Sequence, residues 1–130
     1  MTRFLLDTHA LLWLLSGDAR LSDRAKEVFA EPRNELFFSM AGYWEICIKI
    51  GLGKLELQPN WERHIENEMT FNGIRFLPIC PEHCRELMAL PWRHRDPFDR
   101  LMLAQARVEG LAVVSADEQV QGYPGVRVIW

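Results

Sequence analysis

Short apolar runs alternate with amphipathic segments along most of the chain. Five of these runs are continuous rather than alternating, and they read "RFLL", "ELFFS", "IRFLPI", "LAVVSAD" and "VRVIW". Continuous apolar runs of this kind are typical of strands that are buried on both faces, as in a parallel sheet. The pattern therefore predicts five buried strands.

The segments between these runs carry helical spacing and recognisable end signals. Ser22 and Asn60 suit the N-cap position, Pro81 and Pro97 suit a first helical turn, and Gly110 suits a helix end. Strands that are separated by helices indicate an α/β fold. We expect a three-layer α/β/α sandwich with a central, mainly parallel five-stranded sheet, and a single domain over residues 1–130.

Composition and charge place few limits on function. The net charge is -3 and 25% of the residues are charged, so bulk charge does not indicate nucleic-acid binding, and contacts with a polyanion would have to be local. The apolar N-terminal stretch is interrupted by Asp7 and His9, and no small-residue cleavage site follows it. This argues against a signal peptide and a membrane span, and we expect a cytoplasmic protein.

The chain has three cysteines, Cys47, Cys80 and Cys84, which cannot all pair with one another. Their apolar surroundings predict small buried thiols rather than a disulfide framework. Cys80, His83 and Cys84 are close enough in sequence to suggest a zinc clip, but no second pair of ligands occurs at zinc spacing. Helix and core roles are therefore expected for all three.

Four acidic residues are predicted to lie near the carboxyl edge of the sheet. Asp7 follows the first strand and Asp117 the fourth, while Glu45 and Asp99 lie on the helices after the second strand and before the fourth. Open parallel sheets bind ligands at this edge. Two carboxylates about 4 Å apart repel by about 4 kcal/mol at an effective dielectric of about 20, so either protonation or a cation is needed. Oxygen ligands alone suit Mg²⁺ or Mn²⁺.

Each acid also has a purely structural alternative. Asp7 and Asp117 can cap helices, and Glu45 can face solvent. In "HRDPFDR", Asp96 is suited to be the N-cap and Pro97 the first helical residue. This places Asp99 at the third helical position, where the helix dipole favours a carboxylate and the side chain can turn toward the strand edge.

Four motifs carry a family resemblance that covers the chain essentially from end to end. In this order, "LLDTHALLW", "YWEICIKIGLGKL", "HRDPFDRLMLAQA" and "VVSAD" closely resemble motifs of the PIN-domain ribonucleases, specifically the VapC-type toxins of bacterial toxin–antitoxin operons. The resemblance implies a metal-dependent endoribonuclease whose four acids fall on Asp7, Glu45, Asp99 and Asp117. It also implies a small antitoxin that inserts a segment into the active site, a toxin homodimer, and a hetero-oligomer with the antitoxin.

One departure from the family pattern is visible. Where many relatives look like "SxxSxWE", this chain reads "SMAGYWE", with Gly42 in place of a small hydroxyl residue. Ser39 and Glu45 are kept. The departure therefore puts a supporting contact in doubt rather than the activity.

The mechanism that we expect is hydrolysis of RNA by a metal-activated water that attacks a phosphodiester in line. Asp7 and Asp99 would ligate Mg²⁺ most directly, because this ion usually takes one or two protein carboxylates and keeps several waters. Glu45 and Asp117 would act through water or bind a second ion.

Several other residues are candidates for supporting roles. Thr8 and Ser115 each stand beside an acid, where a hydroxyl can position water or phosphate or can simply cap a helix or turn. Ser39 and Asp96 are further supporting candidates, with helix capping as the main role of Asp96. Phosphate contacts are expected among Lys49, Lys54, Arg93, Arg95 and Arg100, although each taken singly is more typical of a solvated surface charge.

Other functions are less consistent with the sequence. A catalytically silent α/β binding module, whose acidic edge docks a basic partner, would use the same acids only as caps. A receiver-like signalling domain would need a phosphoacceptor Asp after the third strand and a Lys after the fifth, and the chain has neither. A nuclease for structured DNA would need a clamp-like insertion, which is also absent from the sequence.

Overall fold

The structure is a computed structural model that describes residues 2–92 and 96–130. These residues form five strands and six helices. In chain order the elements are β1 (Arg3–Leu6), α1 (Thr8–Ser16), α2 (Asp23–Ala30), β2 (Glu35–Ser39), α3 (Met40–Gly51), α4 (Trp61–Phe71), β3 (Ile74–Leu77), α5 (Pro81–Ala89), α6 (Pro97–Glu109), β4 (Ala112–Val114) and β5 (Val128–Ile129).

The strands form one five-stranded sheet in the order β3-β2-β1-β4-β5. Every neighbouring pair is parallel, and Leu5 at the centre of β1 lies opposite Phe37 on one side and Val113 on the other. The chain adds β2 and β3 on one side of β1 and then crosses to add β4 and β5 on the other. The strand order therefore reverses between β1 and β4. In open parallel sheets, ligands bind at such a reversal of the strand order.

Two apolar cores lie on the two faces of the sheet. Phe4 and Leu6 of β1 point into a core that includes Ile46 of α3, whereas Leu5 points into a second core that includes Leu103 of α6. Successive residues of a strand face opposite sides of a sheet, so a run that is apolar throughout requires cover on both faces. The predicted three-layer α/β/α sandwich is confirmed.

Most of the predicted helix ends are confirmed by their cap geometry. The Ser22 hydroxyl accepts a hydrogen bond from an N–H group at the start of α2, and Gly110 ends α6 in the left-handed conformation. The Ser39 hydroxyl caps α3 in the same way, which was not predicted from the sequence. The expected cap at Asn60 is wrong. Asn60 occupies the N-cap position of α4, but its φ is +65° and its side chain makes no capping hydrogen bond.

The expectation of buried cysteines is also wrong for two of the three. Cys47 and Cys84 are exposed and Cys80 is half-buried. Cys47 lies on α3 one position beyond Ile46, so the helix turns Ile46 into the core and Cys47 away from it. In the part of the chain that the structure describes, no helix has the length and apolar character needed to cross a membrane.

Candidate active site

Asp7 lies at the end of β1, where the strand order of the sheet reverses. Its backbone N–H donates to the Val114 carbonyl of β4 at 3.1 Å, and its Oδ1 accepts from the Ala10 N–H at 2.7 Å as the N-cap of α1. The Ser115 hydroxyl, just beyond β4, donates to the same carboxyl group. Asp7 therefore caps a helix, as its structural alternative predicts, and also lies at the carboxyl ends of two central strands.

Burial raises the pKa of the Asp7 carboxyl, whose residue is only 8% exposed. The hydrogen bonds from Ser115 and the Ala10 N–H and the nearby charge of His9 oppose this shift, and the charge of Asp117 adds to it. Both hydrogen-bond donors are neutral groups. A charged Asp7 is therefore unfavourable in this setting unless a cation approaches it.

Asp117 is exposed and lies two residues after Ser115, in the loop that follows β4. Its N–H donates to the Ser115 Oγ at 3.1 Å, and its Oδ1 accepts from the Gln119 N–H at 2.9 Å. Residues 118–122 form turns rather than the short helix that this acid was expected to cap. Ser115 thus connects the two acids, because it contacts Asp7 with its hydroxyl and Asp117 through that residue's N–H.

Glu45 is buried in the middle of α3, with 7% of the residue exposed. Its Oε1 accepts from the Thr8 hydroxyl at 2.7 Å, and its Oε2 lies 3.0 Å from the Lys49 Nζ one helical turn further along. The alternative that Glu45 faces solvent is wrong. A buried carboxylate needs partners, and Thr8 and Lys49 provide one for each oxygen.

The start of α6 has the arrangement that the "DPFD" spacing predicts. Asp96 is the N-cap, and its Oδ1 accepts from the N–H groups of Phe98 at 2.9 Å and Asp99 at 3.1 Å. Pro97 is the first helical residue. Asp99 lies in the first turn, half-buried, and lines one small cavity together with Thr8 and Glu45.

The four acids therefore lie at one edge of the sheet in two adjoining groups. Asp7 and Asp117 are connected through Ser115, while Glu45 and Asp99 share the cavity with Thr8, the residue after Asp7. The cavity measures about 10 Å³, roughly the space for one water molecule. Within residues 2–92 and 96–130, no three His, Cys, Asp or Glu side chains are close enough to form a ready ligand set.

The donor chemistry of this edge nevertheless suits a hard divalent cation, because carboxylate and hydroxyl oxygens predominate. Asp7 is the residue that fits such an ion best, since its burial disfavours the charged form and its hydrogen-bond donors are neutral. Glu45 is already balanced by Lys49. Admitting a hydrated ion would require the cavity to widen.

Comparison with known families identifies the fold. The sequence model of the PIN domain matches residues 4–125, which is nearly the whole chain. The chain belongs to the PIN-domain family. The predicted family membership is thus confirmed, whereas comparison with curated protein sequences gives no match.

Solved structures agree with this assignment. A chain of the VapBC2 complex of Rickettsia felis, bound to a promoter DNA fragment, has a TM-score of 0.74 at 12% identity, with 98% of each chain covered. DNA-bound VapBC of Salmonella typhimurium has a TM-score of 0.68 at 20% identity, covering 99% of this chain and 98% of that one. VapBC-1 of nontypeable Haemophilus influenzae has a TM-score of 0.63 at 16% identity, covering 98% and 97%. At these identities the likeness shows a shared fold.

Gly42 of this PIN domain faces the Phe38 ring at very close range. A Cβ atom at position 42 would lie 2.6 Å from two ring carbons of Phe38 and 3.2 Å from the Thr8 Oγ1. The buried ring therefore fills the space that a hydroxyl residue would need. In this chain Glu45 receives a hydroxyl hydrogen bond from Thr8, so its Oε1 is satisfied without a side chain at position 42.

The predicted phosphate contacts have different outcomes. Arg100 as a surface contact is wrong, because it is only 2% exposed and its guanidinium donates to the carbonyls of Leu87, Leu90 and Pro91 at the end of α5. A cation is favourable there because helix C-termini carry partial negative charge. Lys49 pairs with Glu45, and Lys54 is exposed. Arg93 and Arg95 lie outside the described residues.

Two buried polar side chains were not identified as important from the sequence. Gln105 on α6 is fully buried, and its Oε1 accepts from the Ser39 hydroxyl at 2.6 Å. His83 accepts from the Cys80 N–H through Nδ1 at 3.1 Å and meets Glu109 Oε1 through Nε2 at 2.9 Å. Both ring nitrogens are therefore engaged within the protein, which removes the zinc alternative. A lone Gln within the apolar stretch "LMLAQA" was the available signal.

Replacing Asp7 by Asn should stabilise the metal-free protein at neutral pH. Asn can still cap Ala10, and it removes a buried charge. Because the folded pKa of Asp7 is raised, wild type and variant should have similar free energies of unfolding in acid. As the pH rises from the ordinary Asp pKa to the raised one, the free energy of unfolding of the variant should increase relative to that of the wild type. Above the raised pKa the difference between the two should stay constant. Urea unfolding in EDTA across this range measures the effect, and a wild type that is more stable at every pH would contradict it.

Replacing Gly42 by Ser should destabilise the fold by about 1–3 kcal/mol, because the new Cβ overlaps the Phe38 ring. Gly51→Ala is the matched control on the same helix, since a Cβ there meets nothing within 4 Å. The control should be neutral or stabilising by up to about 1 kcal/mol. Urea unfolding measures both variants, and equal effects would show that the close approach at Gly42 has no energetic consequence.

Proposed function

We propose that this PIN domain is a metal-dependent endoribonuclease that acts as the VapC-type toxin of a toxin–antitoxin pair. The observation that carries the proposal is the placement of Asp7. It is a buried carboxyl with neutral hydrogen-bond donors at the point between β1 and β4 where the strand order reverses, and its neighbours there include Asp117. Such a group is unfavourable for stability alone and is well suited to hold a cation.

The proposed reaction is hydrolysis of an RNA phosphodiester, in which a water oxygen bonds to phosphorus as the bond to the leaving oxygen breaks. Asp7 and Asp99 would hold Mg²⁺ or Mn²⁺ most directly, and Glu45 and Asp117 would act through water or hold a second ion. When bound, the cation would neutralise charge on the phosphate and lower the pKa of a water.

The protein's own groups would fix the geometry of this reaction. The Ala10 N–H and Ser115 hydroxyl orient the Asp7 carboxyl, and the Thr8 hydroxyl orients Glu45. Lys49 balances the charge of Glu45 in the present arrangement. If the cation takes over that balance, the Lys49 ammonium becomes available to an RNA phosphate.

We further propose a small antitoxin as the protein partner. Several structures with this fold come from VapBC complexes. A groove of about 960 Å³ runs between α1 and the segment 55–67, and its apolar lining includes Leu12, Leu15 and Leu57, with Arg20 and Arg63 also present. Because Arg20 is already paired with Asp18 at 2.8 Å, an apolar antitoxin segment with an acidic residue near Arg63 suits such a groove. The implied insertion into the active site, the homodimer, the hetero-oligomer and the cytoplasmic location stay predictions.

Asp99→Asn and Asp96→Asn form a matched pair that tests the active site. Asp99→Asn should lower RNA cleavage by about 100-fold or more, because it removes a proposed cation ligand. Asp96→Asn should stay within about twofold of wild type, because Asn caps as well as Asp. RNA cleavage is measured in Mg²⁺, in Mn²⁺ and in EDTA, and EDTA should abolish cleavage by the wild type. Equal losses in the two variants would show that the assigned roles are mistaken.

Titration with Mn²⁺ distinguishes a nuclease from the silent binding module. Calorimetry on the wild type should show saturable binding, and Asp7→Asn should weaken it strongly while keeping the fold. A module whose acids only cap helices should show no saturable heat in either protein. Ser22→Ala, which removes a helix cap on α2 away from these acids, should bind Mn²⁺ like the wild type.

A further inference from the structure

Gln105 connects two helices that belong to different layers of the fold. α3 contributes Ile46 to one core and α6 contributes Leu103 to the other, and the two helices meet beyond the strand ends. There the Ser39 hydroxyl, at the N-cap of α3, donates to the Gln105 Oε1 at 2.6 Å. Gln105 is 0% exposed, so this hydrogen bond is isolated from water.

The surrounding groups allow this amide one orientation. The Gln105 Nε2 donates to the Pro78 carbonyl at 3.3 Å and lies 3.4 Å from the His83 Nδ1. His83 Nδ1 already accepts from the Cys80 N–H, so it is the unprotonated nitrogen, and Nε2 carries the proton toward Glu109. The amide nitrogen must therefore face His83 and Pro78, and the amide oxygen must face Ser39.

The Ser39 hydroxyl also has both a hydrogen-bond donor and an acceptor as partners within the protein. Its oxygen accepts from the Ala41 N–H at 3.0 Å while its proton goes to Gln105. The hydroxyl therefore has no second proton with which to hold water or phosphate. The role expected for Ser39 as a supporting residue is thus one of placing α3.

The two ends of this hydrogen bond stand at equal sequence distances from two proposed cation ligands. Glu45 lies six residues after Ser39 on α3, and Asp99 lies six residues before Gln105 on α6. Six helical residues span about 9 Å. Ser39, Glu45 and Asp99 line the same small cavity.

We propose that Gln105 is a positioning residue that, through its hydrogen bond to Ser39, sets the placement of α3 against α6 and thereby the separation of Glu45 and Asp99. Apolar contacts tolerate sliding, whereas a buried hydrogen bond is directional and leaves two unsatisfied groups if the helices shift. The inference rests on the proposed function, since it concerns the cation ligands of that site.

A double-mutant cycle with Ser39→Ala and Gln105→Leu tests the proposal. Leu is close to Gln in size and cannot form the hydrogen bond, and Ser39→Ala removes the same bond together with the N-cap hydrogen bond from the Ala41 N–H. Each single variant should weaken Mn²⁺ binding by about tenfold in calorimetry. The double variant should be no weaker than the more affected single variant, because both remove the same link. With RNA, kcat should fall at saturating Mn²⁺ and KM should change little.

Two controls separate positioning from loss of stability. Ser22→Ala removes a helix cap as Ser39→Ala does. His83→Leu disrupts the polar network on the α5 side, while the Pro78 carbonyl remains to hold the Gln105 amide in its orientation. Both should lower the urea midpoint and leave the Mn²⁺ affinity within about twofold of wild type. Should Gln105→Leu fail to fold, Ser39→Ala against Ser22→Ala still decides the question.

The outcomes distinguish this inference from the proposed function. Wild type that neither binds Mn²⁺ nor cleaves RNA overturns the function and the inference with it. Wild type that does both, with Ser39→Ala and Gln105→Leu binding Mn²⁺ as tightly as the wild type, overturns the inference alone. Weakened binding that is additive in the double variant, or equally present in His83→Leu, also overturns it.

Discussion

Parallel pairing on both sides of β1 is the constraint on which the rest of this structure depends. β1 lies between β2 and β4, and all three run in the same direction. Parallel neighbours cannot be joined by tight hairpins, so each connection must return across a face of the sheet. That requirement produces the two helical layers and brings the strand ends, with Asp7 and Ser115, to one edge.

The two buried acids at this edge differ in whether a cationic side chain pairs with them. Glu45 is given a cation of its own in Lys49, whereas the buried Asp7 is given only neutral donors. The first arrangement balances a buried charge within the protein and the second does not, and this contrast supports the proposed cation at Asp7. A fold that needed only stability would have little reason to bury Asp7 in this way.

Features that depend on local sequence could be predicted, and those that depend on distant neighbours could not. The strands, the cap at Asp96 and the end at Gly110 follow from short-range chemistry, and the structure has them. Arg100 is predicted to lie at the surface because most arginines do, and nothing nearby in sequence indicates that it donates to three carbonyls at the end of α5 and just beyond it. Asn60 looks like a cap by composition, yet its backbone adopts the left-handed conformation.

The candidate site was predicted as a set of residues rather than as a geometry. Topology alone places the four acids at one edge, which is why a sequence argument reaches them. The division into two groups, with Ser115 between Asp7 and Asp117 and Thr8 beside Glu45, depends on individual side-chain hydrogen bonds and on the packing of α1 against α3. Gln105 needed the same information, because its partner is 66 positions away.

The close approach of Phe38 and Gly42 limits which residues this chain can hold at the two positions. Because the aromatic ring fills the volume that a side chain at position 42 would use, the two positions are not free to vary independently. A residue with a Cβ atom at position 42 would fit only if the ring shifted or a smaller residue stood at position 38.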